Sequence, residues 1–131
     1  MKVLVIGQNP SGKPTLNGKQ NATFRKLEGW MSYIGVHHFS FVNTFDEPGA
    51  QPKLHKVDYE RLCTLCQEYD IIVTLGAFVS NVLSRINVKH FGLPHPSPLN
   101  RLLNDKTFEK TMIDQCKEYI HENCYSARPW N

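Results

Sequence analysis

The sequence predicts an α/β fold, a central, mainly parallel four-stranded sheet lying between two layers of helices. Two observations carry this prediction. Residues 2–6 and 71–76 are short, continuous apolar runs, the pattern of strands buried on both faces as in a parallel sheet. Strand-like runs also alternate with segments whose apolar residues recur at helical spacing, which is the order of a parallel sheet covered by helices.

The elements follow in order. The first strand ends at Gly7, and a turn occupies residues 10–12. Over residues 21–34, Phe24, Leu27, Trp30, Met31 and Ile34 recur at helical spacing, with Asn21 or Thr23 as cap and Gly35 as stop. Residues 39–45 return to strand character, and residues 46–52, with two prolines and a glycine, form a loop. Residues 57–69 read as a helix, residues 71–76 as the third strand, and residues 77–86 as a helix with Phe78, Val82 and Leu83 on one side. A short fourth strand spans residues 90–93. Residues 106–123 then place Phe108, Met112, Cys116, Tyr119 and Ile120 on one helical face that packs on the sheet, before a loose tail from Tyr125. Right-handed crossovers bring the strand ends at Gly7, Asn43, Gly76 and Pro94 to one edge, the carboxyl edge where ligands bind in such folds.

At 131 residues and 40% hydrophobic, the chain fits one compact domain over residues 1–131. The net charge of +3, from 15 Lys and Arg against 12 Asp and Glu, permits nucleic-acid binding without arguing for it. The apolar run at the N-terminus is too short for a signal peptide or a membrane span, and no later run is long enough. A cytoplasmic protein with no membrane partner is expected. Four cysteines, Cys63, Cys66, Cys116 and Cys124, are too few for a disulfide scaffold and are expected as thiols. Cys63 and Cys66 have metal-ligand spacing, but helical cysteines three apart more often face a core, and no metal site is assigned. His37, His38, His55, His90 and His121 show no ligand spacing and read as surface or loop histidines.

Two short motifs carry chemistry. Gly7-Gln8-Asn9-Pro10 follows the first strand, and His95-Pro96-Ser97-Pro98-Leu99-Asn100-Arg101 follows the fourth. The first continues into Ser11-Gly12-Lys13-Pro14, matching the phosphate-binding G-x-x-x-x-G-K-[ST] pattern at every position but the last. Pro14 removes both the magnesium-binding hydroxyl and a backbone N–H, and no acidic residue ends the third strand, so nucleotide hydrolysis is set aside.

With Phe41-Val42-Asn43-Thr44 and the strand ending Leu75-Gly76-Ala77 between them, the two motifs resemble the uracil-DNA glycosylase superfamily, in the same order from Val3 to about Leu103. The resemblance implies a uracil-DNA glycosylase-like three-layer α/β/α fold. It implies a cofactor-free, monomeric DNA glycosylase that hydrolyses the N-glycosidic bond of uracil or a related pyrimidine, in base excision repair or base-modification metabolism.

The chemistry explains the residue types. Cleaving that bond leaves negative charge on the departing base, and His95 matches the histidine that donates to O2 of the pyrimidine anion. Asn9 matches the position that holds the attacking water, which an amide orients but cannot deprotonate. Asn43 matches the asparagine that reads the base edge, Gly7, Gln8, Pro10 and Ser11 belong to the substrate loop, and Phe24 is the nearest aromatic for stacking on the base. A base must leave the duplex to reach such a pocket, and Leu99 matches the wedge leucine that fills the gap. Arg101, Ser97 and Lys13 complete the implied DNA contacts.

Departures from the pattern bear on substrate. Ser11 stands where the uracil-strict branch carries a bulky aromatic against the thymine methyl, so a 5-substituted pyrimidine or mispaired thymine is admissible. Asn9 in place of aspartate is similar to the mismatch-specific or single-strand-selective branches, and no cysteine pair precedes the first motif to hold an iron-sulfur cluster. The competing class is a non-catalytic DNA-binding module of the same fold that recognises modified or flipped bases.

Overall fold

The computed structural model describes residues 1–10, 22–49, 51–97 and 99–126. Strands β1 (Val3–Gly7), β2 (Ser40–Asn43), β3 (Ile71–Leu75) and β4 (Phe91–Leu93) form one sheet in the order β2-β1-β3-β4, with every pairing parallel. Helices α1 (Ala22–Ile34), α2 (Tyr59–Cys66), α3 (Ala77–Arg85) and α4 (Lys106–Ser126) cover it, and single 3-10 turns occur at Leu54–Lys56 and Arg101–Asn104. The three-layer α/β/α architecture expected from the sequence is the one observed.

Both central strands, β1 and β3, are buried along their whole length. Their side chains alternate between two cores, as the period of a strand requires. Val3, Val5, Ile71 and Val73 pack with α1 and α4, whereas Leu4, Ile6 and Ile72 pack with α2 and α3. Glu109 ties α1 to α4, accepting from Trp30 Nε1 at 2.8 Å and pairing with Lys26 at 2.9 Å. Burial pushes the Glu109 carboxyl up, but the hydrogen bonds from Lys26 and Trp30 outweigh it and hold its pKa below the ordinary value.

Several boundaries differ from the periodicity for local reasons. α1 begins at Ala22, which leaves Thr23 inside the helix and unable to serve as its N-cap; Asn21 lies outside the described residues. β2 stops at Asn43 because Thr44 N turns back onto Gly7 O and Gln8 O. α2 is shorter than residues 57–69. Asp58 caps it, accepting from Arg61 N at 3.0 Å, and turns after Cys66 bring Asp70 N onto Lys2 O at 2.9 Å. On α3, Val82 and Leu83 are fully buried as expected, joined by Val79, while Phe78 packs at the margin of the same core. α4 runs through Ser126, so Tyr125 belongs to this helix instead of to a tail.

Cys63, Cys66 and Cys116 are free thiols, and burial raises Cys66 to about 11 and Cys116 to about 12, which keeps both protonated at neutral pH. No group of three or more His, Cys, Asp or Glu able to hold a metal occurs among the described residues, and no helix among them is long and apolar enough to cross a membrane.

The topology decides where a ligand fits. β1 and β3 are neighbours whose connections leave in opposite directions, β1 through α1 to β2 and β3 through α3 to β4. A crevice opens between the carboxyl ends of two such strands.

Candidate functional site

Gly7 and Asn43 end β1 and β2 as register partners, side by side at the carboxyl edge. Close packing explains the glycine. A Cβ at Gly7 would lie 2.8 Å from Phe41 Cζ and 3.0 Å from Asn43 Oδ1. The Phe41 ring and the Asn43 amide oxygen therefore cover Gly7 from one face of the sheet, as residues two apart on a strand do.

Beyond the strand ends, the two loops are laced together. Thr44 N donates to Gly7 O at 2.9 Å and to Gln8 O at 3.0 Å, and the Thr44 hydroxyl also donates to Gln8 O. Asn9 Nδ2 donates to Glu47 O at 2.8 Å and Gly49 O at 2.9 Å, while Asn9 Oδ1 accepts from Gln8 Nε2 at 2.9 Å. Gly49 N returns a bond to Pro10 O at 3.2 Å. Asn9 is thus a brace that pins residues 47–49 against the first motif. Both amide hydrogens are engaged, which leaves one acceptor position on Oδ1.

The second motif stands over the β3–α3 turn. Gly76 caps α3 at φ +93°, a conformation that favours glycine, and a Cβ there would meet His95 Cβ at 3.6 Å. Ser97 N donates to His95 Nδ1 at 3.2 Å, and burial lowers the His95 pKa below the ordinary histidine value. A neutral imidazole that accepts at Nδ1 carries its proton on Nε2, so His95 presents an N–H donor.

The loop around His95 is braced by its own side chains. Asn100 Nδ2 donates to His95 O at 2.9 Å, Ser97 Oγ accepts from Leu99 N at 3.1 Å, and Asn100 Oδ1 accepts from Leu102 N at 3.1 Å. These bonds hold Leu99 in water at 85% exposure and Leu102 at 59%, with the exposed Arg101 between them. The 3-10 turn Arg101–Asn104, capped by Asn100, is too short to supply a helix dipole.

The sequence-derived residues therefore fall into two groups at one edge of the sheet. Gly7, Gln8, Asn9, Pro10 and Asn43 meet at the β1–β2 corner, and His95, Ser97, Leu99 and Arg101 form the loop after β4. Ser11 and Lys13 lie outside the described residues. Phe24 lies one ring away from the first group, against Phe41. It is half-buried on α1, its ring packed against Phe39 and Phe41 at centroid distances of 6.5 and 5.7 Å, so its surface serves the core margin.

Sequence reading passed over two neighbours of this edge. Phe41 is 37% exposed and shares its face with Asn43; strand parity is the signal that marks it. Arg61 reaches from α2, Nη2 donating to Asn43 O at 3.2 Å, and no local pattern announces it. Among the histidines, His37, His38, His55 and His121 are exposed, whereas His90 is half-buried and hydrogen-bonded through both ring nitrogens. A cavity of about 480 Å³ lies at the opposite edge, where the strands begin, lined by residues that include Met1, Ile34, Val36 and His121. It is remote from both motifs.

No family model, curated protein or solved structure matches the chain. Its functional reading therefore rests on what these groups do chemically: an amide edge at Asn43, a neutral imidazole N–H at His95, and an apolar prong beside a cation at Leu99 and Arg101.

Proposed function

We propose that the chain is a monofunctional DNA glycosylase of the uracil-DNA glycosylase type, acting on uracil or a 5-substituted or mispaired pyrimidine as a cytoplasmic monomer without a cofactor. The observation that carries this reading is the loop after β4. Its Ser97 N–H occupies His95 Nδ1 and leaves Nε2–H as a donor, and the same loop holds Leu99 out in water.

As the N-glycosidic bond breaks, positive charge develops on the sugar and negative charge on the base. His95 Nε2–H donates to the pyrimidine O2 as that charge grows, in a site where burial already disfavours an imidazolium. The Asn43 amide reads the base edge. Phe41, on the same face and more exposed than Phe24, is the ring on which that base stacks. The remaining acceptor position of Asn9 Oδ1 orients the attacking water and takes no proton from it. Leu99 fills the gap left by the flipped nucleotide, with Arg101 beside it against the DNA strand.

One observation favours a non-catalytic DNA-binding module of the same fold. Both Asn9 amide hydrogens are engaged by loop carbonyls, the geometry of a brace. Incubation with labelled oligonucleotides carrying uracil, 5-hydroxymethyluracil, hypoxanthine or mispaired thymine, followed by alkali, separates the two readings. Strand breaks at a lesion establish the glycosylase and its base. DNA binding without an abasic site, in single and double strands, establishes the module, and absence of both binding and cleavage refutes both.

A further inference from the structure

Helix α3 and the edge strand β4 share a polar cluster that the proposed reaction does not use. Ser80 Oγ and His90 Nε2 are 2.8 Å apart, and His90 Nδ1 lies 2.8 Å from the Val88 carbonyl oxygen. A carbonyl only accepts, so Nδ1 carries the proton, Nε2 is the acceptor, and the Ser80 hydroxyl donates to it. This is the hydrogen-bond order of a nucleophile, its base and the group that orients the base. Both side chains are half-buried, so neither is sealed in the core.

A second observation points to the same place. Gly92 leaves a methyl-sized notch beside Ser80, since a Cβ there would sit 3.5 Å from Thr74 Oγ1 and 3.6 Å from Ser80 Oγ with no closer atom. Thr74 is fully buried, and its hydroxyl has no hydrogen-bond partner among the described residues. An unpaired buried hydroxyl is costly, and this one borders the notch that Ser80 also borders.

We propose that Ser80 is a nucleophilic hydroxyl, with His90 as its general base, that takes an acyl group from a small activated ester beside Gly92. Ser80 Oγ bonds to the carbonyl carbon as its proton passes to His90 Nε2. The carbon–oxygen bond to the alcohol then breaks, and the alcohol leaves with the proton that His90 returns. The products are an acyl ester on Ser80 and the free alcohol. The dyad shares no residue with the His95 loop and stands whether or not the chain cleaves DNA.

The test is p-nitrophenyl acetate on the folded chain, with the acetylated positions mapped by peptide mass spectrometry. Ser84, exposed one turn further along α3, is the internal reference. Acetyl is expected on Ser80 and not on Ser84, the label disappears in Ser80→Ala, and His90→Asn slows labelling about 100-fold. Ser80 acetylated no faster than Ser84 in the wild-type chain overturns the proposal, a comparison that needs no variant. Equal labelling of Ser80 in a His90→Asn protein with native circular dichroism overturns it as well.

Discussion

Leu99→Ala is expected to separate stability from function. Leu99 is 85% exposed, so truncation removes almost no buried surface and the fold keeps its stability to within about 0.5 kcal/mol. Its worth emerges only when the side chain leaves water for the base stack. Alanine lacks three of its carbons, and at about 0.8 kcal/mol for each one buried, the inserted state loses about 2.4 kcal/mol. That corresponds to about 50-fold in the rate of excision from duplex DNA, at about 1.36 kcal/mol per tenfold. Single-stranded DNA has no duplex to unstack, so the loss there is much smaller. Single-turnover excision of one base from matched duplex and single-stranded oligonucleotides, with thermal melts of both proteins, makes the comparison. Equal losses on the two substrates, or a fall in melting temperature alongside them, would mean that Leu99 packs against protein and would remove the wedge.

Four further outcomes are expected. His95→Ala slows excision by about 100- to 1000-fold on single-stranded and duplex substrates alike, because a donor to the leaving anion is needed however the base arrives; a loss confined to duplex DNA argues against that role. Because burial lowers the His95 pKa, the unfolded chain takes up that proton first as the pH falls. Stability from this group is therefore complete above about pH 6.5 and declines below it, a slope that urea melts should find in the wild type and not in His95→Asn. Thr74→Val removes a buried hydroxyl that has no partner among the described residues and keeps the side-chain shape, so the denaturation midpoint should rise, by about 1 kcal/mol in stability; a fall would reveal a hydrogen bond to that oxygen. Asn9→Ala frees the Glu47 and Gly49 carbonyls, so amide exchange over residues 44–49 should quicken, and unchanged exchange would contradict the brace.

Local patterning makes most of this fold legible. β1 and β3 are apolar at nearly every position because two cores bury both of their faces, and such a run can be recognised without knowing its partners. The limits of β2 are less legible, since they depend on Thr44 turning back to Gln8, 36 positions away. The site divides in the same way. The bonds that shape the His95 loop span two to five residues, so residue type and spacing alone mark it as one unit. Asn9 is different: its residue type qualifies it to orient a water, but its hydrogens are claimed by carbonyls 38 and 40 positions on. Phe41 over Gly7, Arg61 on the Asn43 carbonyl and His90 on Ser80 likewise arise from packing between elements. The sequence by itself determined the layers of the fold and which side chains have the chemistry to act. Tertiary structure alone decided which of their donors and acceptors remain free and which apolar groups stay in water, because nearly all buried polar groups are paired and their partners meet only when the elements pack.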